Sequence, residues 1–303
     1  MLELAFFFLI WFLLNWNWQK WHWQYLLKPM GNITFWPTFR AFMIGVGGNM
    51  VLPARAGEFL RAYVIGRSSN ISKVGSFATV VVERIFDGLT MLFILLLIVI
   101  FGANNQILKQ IGIAAGIFYV VAFVGVIVFM LRQSWFEDML RQLMTILNVP
   151  ENVTEKILDL MSSFGSGLES LRDGKQLAMV IILSFLTWGL IPLSFWPVIA
   201  AFDFGVPVPF LIPLLAMPVI ALGLTIPGAP AGIGIFQWAG VVALNIGYEM
   251  LGTPLVTEAQ QATVAASMIL LHISQVTPEV LLGIVSFFAE GLTMSDLEAG
   301  KEF

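Results

Sequence analysis

Long apolar runs alternate with short polar segments along most of this chain. Five of them, near residues 4–20, 74–101, 110–131, 176–201 and 259–290, have roughly the length that a helix needs to cross about 30 Å of hydrocarbon. In lipid a helix satisfies its own backbone hydrogen bonds, so the pattern predicts an all-α polytopic integral membrane protein. The first run ends in a tryptophan-rich cluster, residues 16–25, which we interpret as an aromatic belt at the membrane interface.

Two further apolar segments, 35–66 and 207–248, are interrupted by proline and glycine. The interruptions contain residues that favour special backbone conformations: Pro53, Gly57, Pro227, Gly232 and Gly234. A broken helix exposes backbone polar groups that lipid cannot satisfy, so each break must lie inside protein or beside a wet cavity. Both segments are therefore predicted to be re-entrant helical hairpins.

The two broken segments resemble each other, which indicates an internal repeat. Each begins with Pro-rich apolar sequence, breaks at Leu-Pro or Ile-Pro, resumes as a helix, and is followed by a span that contains Ala-Thr-Val. Three full spans lie between them. If each hairpin returns to its starting side, the second enters from the opposite face, and the fold is a helical bundle with two inverted-repeat hairpins, as in many transporters.

The loop charges orient this topology. Only Lys109 falls on one side, whereas the other side receives ten basic residues: Lys20, Lys28, Arg67, Lys73, Arg132, Arg141, Lys156, Arg172, Lys175 and Lys301. Since Lys and Arg are enriched in cytoplasmic loops, the second side and the C-terminus are predicted to be cytoplasmic. Met1 then lies outside, an arrangement that favours a further helix upstream of this chain.

Residues 133–175 form the longest polar segment. Ile157, Met161 and Phe164 recur at spacings of three and four, which is typical of an amphipathic helix on a membrane surface. Two such helices are predicted on the cytoplasmic side, where they either cover the bundle or sense lipid. The segment is too short for a separate catalytic domain, so residues 1–303 are predicted to form one transmembrane domain.

Composition supports the same class and excludes several others. The chain is 58% hydrophobic and 11% charged, with a mean hydropathy of +0.89, which is too apolar for a water-soluble fold. It has no cysteine and only two histidines, His22 and His272, so we expect neither metal nor cofactor. Motifs for ATP, zinc-protease and serine-hydrolase chemistry are missing, and no basic patch suits nucleic acid, so an enzyme is not predicted.

Ionisable residues inside the apolar segments mark a candidate site. The first broken segment contains Arg55, Glu58 and Arg61, and the next span contains Glu83, Arg84 and Asp87. A charge at mid-bilayer costs at least ~2.5 kcal/mol, so these six groups, three of each sign, are expected to pair around an interior. Arg55 and Arg61 are suited to holding phosphate oxygens near the start of the re-formed helix.

Two polar stripes extend this site. Thr79, Glu83, Asp87 and Thr90 share one helix face, which is expected to line a cavity. The last span carries His272, Gln275 and Glu279, with Pro278 loosening the helix beside them. Either set lines a passage, or it only holds helices together.

Two segments also resemble a known family. The string NMVLPARAGEFLRAYVIGRSSN, followed by SFATVVVERIFDG, is similar to the membrane domain of lysylphosphatidylglycerol synthetase/flippases, where N-x-x-L-P-x-R-x-G-E-x-x-R precedes A-T-x-x-x-E-R-x-x-D. The later string IPGAPAGIGIFQ is similar to the Pro-Gly, Gly-Ile-Gly signature of that family. The resemblance covers roughly residues 5–290 and carries over twelve positions: Asn49, Pro53, Arg55, Gly57, Glu58, Arg61, Glu83, Arg84, Asp87, Pro227, Gly232 and Gly234.

The resemblance implies a translocase of the inner membrane, which moves a phospholipid or a lipid-linked headgroup between leaflets by alternating access. Gln237 departs from it, because the family often has an acid there. The expected partner is an anionic or aminoacylated phospholipid or a lipid-linked intermediate, and the prediction leaves room for a homo-oligomer. The expected substrate-binding residues are Asn49, Arg55, Glu58, Arg61, Glu83, Arg84, Asp87, Gln237, His272 and Glu279.

Two other functions stay open at this point. A secondary transporter of a small soluble anion would use the same broken helices. A non-transporting scaffold would use the charges only for assembly, so that Arg55→Ala and Glu83→Ala would lower the folding yield without a specific loss of transport.

Overall fold

The computed structural model describes residues 22–52, 56–102, 106–225 and 229–293, and every regular element in those residues is helical. A short helical stretch, 22–27, and a 3-10 turn, Lys28–Met30, come first. The α-helices that follow are α1 Phe35–Val51, α2 Gly57–Ser69, α3 Lys73–Gly102, α4 Gln106–Leu131, α5 Gln133–Ile146, α6 Glu151–Gly167, α7 Gly174–Ala200, α8 Leu211–Gly223, α9 Ile235–Met250 and α10 Glu258–Ala289. The predicted span 4–20, Pro53, Arg55 and Pro227 lie outside the described residues.

The protein is a multi-pass membrane protein. Helices α3, α4, α7 and α10 lie at four of the predicted spans. Large apolar side chains on α4, among them Ile113, Ile117 and Val121, are more than half exposed, as suits a helix surrounded by lipid. By length and composition, four segments of the described chain could cross a membrane: Gly112–Leu131, Gly174–Ala200, Pro230–Met250 and Glu258–Ala289.

The predicted breaks are confirmed, and each separates two helices that pack against each other. Hairpin 1 consists of α1 and α2, and hairpin 2 consists of α8 and α9. In hairpin 1 the backbone of Gly57 packs against the backbone of Gly45 and Gly48. Such close approach is possible because none of the three carries a side chain.

Hairpin 2 breaks over a longer stretch of backbone. Helix α8 ends at Gly223, a 3-10 turn spans Pro230–Gly232, and α9 begins at Ile235. Within the break, Gly232 and Gly234 have φ of +69° and +87°, and Ala231 has φ of +57°. These left-handed conformations end helical hydrogen bonding, and glycine adopts them without steric cost. The insertion of either hairpin into the bilayer from one side stays a prediction, since Pro230–Met250 is long enough to cross.

The close contact at Gly57 in hairpin 1 predicts that a larger residue there destabilises the protein. Alanine at position 57 would drive its Cβ into the Gly45 carbonyl and the Asn49 backbone, and such overpacking costs about 1–3 kcal/mol. Gly116→Ala is the matched control, because a Cβ there meets nothing within 4 Å. We expect Gly57→Ala to lower the melting temperature in detergent, whereas Gly116→Ala leaves it unchanged or slightly higher. Equal melting temperatures for the two variants would show that the contact is loose.

Helices α5 and α6 occupy the segment 133–175 in which two amphipathic helices are predicted, with a 3-10 turn, Glu169–Leu171, after them, and their position on the cytoplasmic side stays a prediction. The Arg141 guanidinium lies 2.6 Å from a Glu155 carboxylate oxygen and joins the two helices. Trp135, Met139 and Leu143 form an exposed apolar stripe on α5, which suits a helix lying against lipid.

Candidate functional site

Arg61 is the most enclosed charge in the described part of the chain. Its guanidinium places Nη2 2.7 Å and Nη1 3.5 Å from the two carboxylate oxygens of Glu83, and its side chain is 1% exposed. It also lies over the ring of Trp23, 4.4 Å from the centroid, and near the ring of Phe42. Arg61 therefore joins α2 to α3 and the N-terminal segment, rather than facing open space.

Trp23, from the predicted aromatic belt, faces the interior of the protein. Its side chain is fully buried, and its indole N–H donates to the Thr79 hydroxyl over 3.0 Å. Trp23 is buried because its ring packs against the Arg61 guanidinium, since a cation inside a helical bundle is stabilised by an aromatic face. The buried indole nitrogen then needs a hydrogen-bond acceptor of its own. Trp23 is thus part of the charged cluster and is shielded from lipid, whereas Trp16, Trp18 and Trp21 of the predicted belt lie outside the described residues.

Arg84 is the arginine of this cluster that remains partly open. It lies 3.2 Å from Glu83, 3.4 Å from Glu58 and 3.4 Å from Asp87, and its side chain is 39% exposed. Three carboxylates therefore surround one guanidinium that still presents part of its surface to a cavity. A ligand with a negative charge could approach Arg84 without displacing the arginine from its position.

Asn49 links the end of α1 to the cluster. Its side-chain amide donates to a Glu58 carboxylate oxygen over 3.2 Å. The amide oxygen of Asn49 is buried, with no hydrogen-bond partner among the described residues. The short α1–α2 contact at Gly57 holds this amide next to the break.

Asp87 has a partner that sequence reasoning missed. The indole N–H of Trp188 on α7 donates to the Asp87 carboxylate over 2.7 Å. A tryptophan within an apolar helix carries one donor, and a buried donor needs an acceptor, which was the available signal. The polar stripe on α3 therefore lines the cavity only in part. Asp87 reaches the cavity. Thr79 and Glu83 contact buried partners instead, and Thr90 is buried.

The second half of the chain contributes a hydrogen-bonded network at the break of hairpin 2. The Gly234 N–H donates to the Gln237 side-chain oxygen over 2.8 Å, so the Gln237 amide nitrogen faces His272 Nδ1, also over 2.8 Å. His272 Nε2 lies 2.9 Å from the Ala231 carbonyl oxygen, and the imidazole stacks on Phe236. These contacts assign the proton of a neutral imidazole to Nε2. Gln237 thus caps α9 and positions His272.

A cavity of about 220 Å³ lies between the two halves. Met50 at the end of α1 and Ala231 in the break of hairpin 2 both line it, so the two breaks lie close to one another. Its polar lining comes from both halves: Arg84, Asp87, Thr225, His272, Gln275 and Glu279. Aromatic side chains complete the wall: Tyr119, Trp188, Phe195 and Phe236.

The predicted site residues are distributed in three ways. Arg84, Asp87, His272 and Glu279 line the cavity. Four others support it from behind through hydrogen bonds and ion pairs: Asn49, Glu58, Arg61 and Glu83. Gln237 acts through His272, and Arg55 lies outside the described residues. The described residues include no group of three or more His, Asp or Glu side chains arranged to hold a metal ion.

Comparison with known proteins identifies the family. A family model described as the transmembrane region of lysylphosphatidylglycerol synthase matches residues 2–283. The chain belongs to this family. The resemblance seen in the two motifs is confirmed.

Two relatives have curated names. The UPF0104 membrane protein MJ1078 of Methanocaldococcus jannaschii is 23% identical over 205 residues, which cover 65% of this chain and 79% of that protein. Glycosyltransferase AglD of Haloferax volcanii is 50% identical over 50 residues, which are 16% of this chain and 8% of AglD. The chain thus matches only a small part of AglD. No solved structure matches the chain.

Proposed function

We propose that this protein moves the polar headgroup of a membrane lipid between leaflets through the cavity between the two hairpins. The observation that carries the proposal is the position of Arg84, Asp87 and Glu279 around one cavity in a chain with an apolar exterior. Charged groups at this depth are costly unless they serve a hydrated interior. A headgroup that passes along them avoids the cost of crossing hydrocarbon, while its acyl chains stay in lipid.

The hairpins supply the moving parts in this proposal. They enter the bilayer from opposite faces as an inverted repeat, and their breaks meet at the cavity, where Met50 and Ala231 lie. Rocking one half against the other would open the cavity to each leaflet in turn. The hydrogen bonds of Gln237 and Ala231 with His272 would hold hairpin 2 to α10 during this movement. In this proposal the protein lies in the cell membrane, and its basic loops favour a cytoplasmic C-terminus.

The lining of the cavity suits a lipid headgroup that carries a negative and a positive charge, or one that carries several hydroxyls. Arg84 provides donors for phosphate oxygens, whereas Asp87, Glu279 and Gln275 provide groups for an amine or hydroxyls. Aminoacylated phosphatidylglycerol fits this description, and so does a glycosylated lipid, which the short match to a protein named as a glycosyltransferase supports. The protein would carry out no covalent chemistry on either lipid.

Leaflet-resolved lipid movement in proteoliposomes tests the proposal. Fluorescent phosphatidylglycerol, its aminoacylated form and a glycosylated isoprenoid phosphate would each be followed by quenching with an impermeant reductant. At least one lipid should move faster than in empty vesicles. Uptake of radioactive phosphate by the same vesicles, without lipid movement, would favour the soluble-anion transporter. The absence of both lipid movement and phosphate uptake would favour a scaffold and refute translocation.

A further inference from the structure

A second cavity, of about 580 Å³, lies between α1 and α10 and is almost wholly apolar. Its floor is the crossing of Gly47 and Gly283, where a Cβ on Gly47 would lie 2.9 Å from Gly283 Cα. The two backbones touch there because neither residue has a side chain, and a furrow remains open above them. Val51 and Ile284 form part of its walls and are 61% and 49% exposed. We call this furrow the α1–α10 groove.

The groove and the polar cavity occupy adjoining faces of the same two helices, since consecutive helical residues point about 100° apart. On α1, Met50 lines the polar cavity and the next residue, Val51, lines the groove. On α10, Glu279 lines the polar cavity and Val280 lines the groove. The contact between α1 and α10 is therefore a thin partition between polar and apolar space, and α1 ends at Val51.

We propose that the α1–α10 groove holds an acyl chain of the translocated lipid while its headgroup occupies the polar cavity. The inference rests on the proposed function and adds the place where the lipid straddles the protein. A headgroup in the cavity requires its tail to leave the protein nearby, and the end of α1 is where the partition stops. The groove carries no charged side chain among its lining residues, which suits hydrocarbon and excludes a polar peptide.

The groove guides the tail without binding it tightly. Lipid tails are about as apolar as the groove walls, so no hydrophobic free energy is gained when a tail enters from the bilayer. Only van der Waals contact with the walls is available, and it is small for each atom pair. Selectivity would then come from the headgroup at Arg84, and the tail could slide along the groove as the head crosses.

A tryptophan that fills the groove tests this inference. Ile284→Trp places a large ring in the furrow without opening a buried contact, since Ile284 is 49% exposed. Val285→Trp is the matched control, because Val285 is the next residue on α10, is 64% exposed and does not line the groove. Each variant and the wild type would be reconstituted with phosphatidylglycerol that carries a diazirine on one acyl chain, and also assayed for lipid movement.

The expected result is an ultraviolet crosslink to α1 or α10 in wild type and in Val285→Trp, and its loss in Ile284→Trp. Lipid movement should fall at least about tenfold in Ile284→Trp alone. If wild type moves lipid but both variants match it in rate and crosslink, the groove is not the tail site, although the proposed function stands. If wild type moves no lipid, a groove crosslink still supports an acyl-chain site. A change of oligomeric state in Ile284→Trp, without any wild-type crosslink, would assign the groove to a second copy instead.

Discussion

Replacement of Arg61 by alanine is expected to destabilise the protein more than any other change in the cluster. Arg61 is 1% exposed and pairs with Glu83 at 2.7 Å and with Glu58 at 3.5 Å. Without it, Arg84 is the cation left to balance Glu58, Glu83 and Asp87 within the described cluster. Removing one partner of a buried ion pair costs about 3–5 kcal/mol, because the other charge stays buried without compensation.

Thermal unfolding in detergent would measure this effect. A double variant, Arg61→Met with Glu83→Gln, removes one charge of each sign and should recover part of the loss. Arg40→Ala is the control, because Arg40 pairs with Glu290 at 3.2 Å but is 36% exposed, and exposed pairs contribute little. If Arg61→Ala and Arg40→Ala had the same melting temperature, Arg61 would have no special role in assembly.

Replacement of Arg84 is expected to have the largest effect on transport. Arg84 is the arginine that lines the polar cavity, and hydrogen bonds to charged groups contribute about 1.5–3 kcal/mol, or roughly 10- to 100-fold in rate. Arg84→Gln should therefore slow lipid movement by about that factor. Arg84→Lys keeps the charge near Glu58, Glu83 and Asp87 but loses the planar fork, so it should fold normally and retain intermediate activity.

Lipid movement in proteoliposomes, normalised to folded protein, measures the Arg84 effect. Arg141→Gln removes an arginine from an exposed ion pair with Glu155, away from the cavity, and should leave the rate unchanged. If Arg84→Gln and Arg141→Gln transported equally well, Arg84 would not contact the headgroup. A loss of folded protein in Arg84→Lys would point instead to a structural role.

The elements of this fold are largely encoded in local sequence. The spans follow from apolar length, and their observed ends lie within four residues of the predicted ones, the largest difference being at the start of α4, predicted at 110 and observed at Gln106. The two breaks follow from proline and glycine, since Gly232 and Gly234 adopt positive φ where α-helical geometry would otherwise continue. The charged cluster follows from the cost of isolated charges in lipid, which predicts that these groups pair, and Arg61 and Glu83 do so.

The different positions of Arg61, which is enclosed, and Arg84, which lines the cavity, could not be predicted, because they depend on helix rotation and on distant partners. Periodicity places Glu83 and Asp87 on one face of α3, but it does not reveal that Trp23 and Phe42 close over Arg61. The hydrogen bond from Trp188 to Asp87 joins residues that are 101 positions apart. Such contacts are set by packing between helices, which no spacing within one helix encodes.

Single-cysteine labelling measures directly whether the cavity between the hairpins is a water-filled passage at bilayer depth. The native chain has no cysteine, so Val276→Cys, which lines the cavity, and Ile273→Cys, an exposed apolar position on the same helix α10, each give one thiol. With an impermeant maleimide, we expect Val276→Cys to react from either side of oriented proteoliposomes, more slowly when transported lipid is present, and Ile273→Cys to stay unlabelled in hydrocarbon. If Val276→Cys reacts from neither side, the cavity is not a water-filled passage.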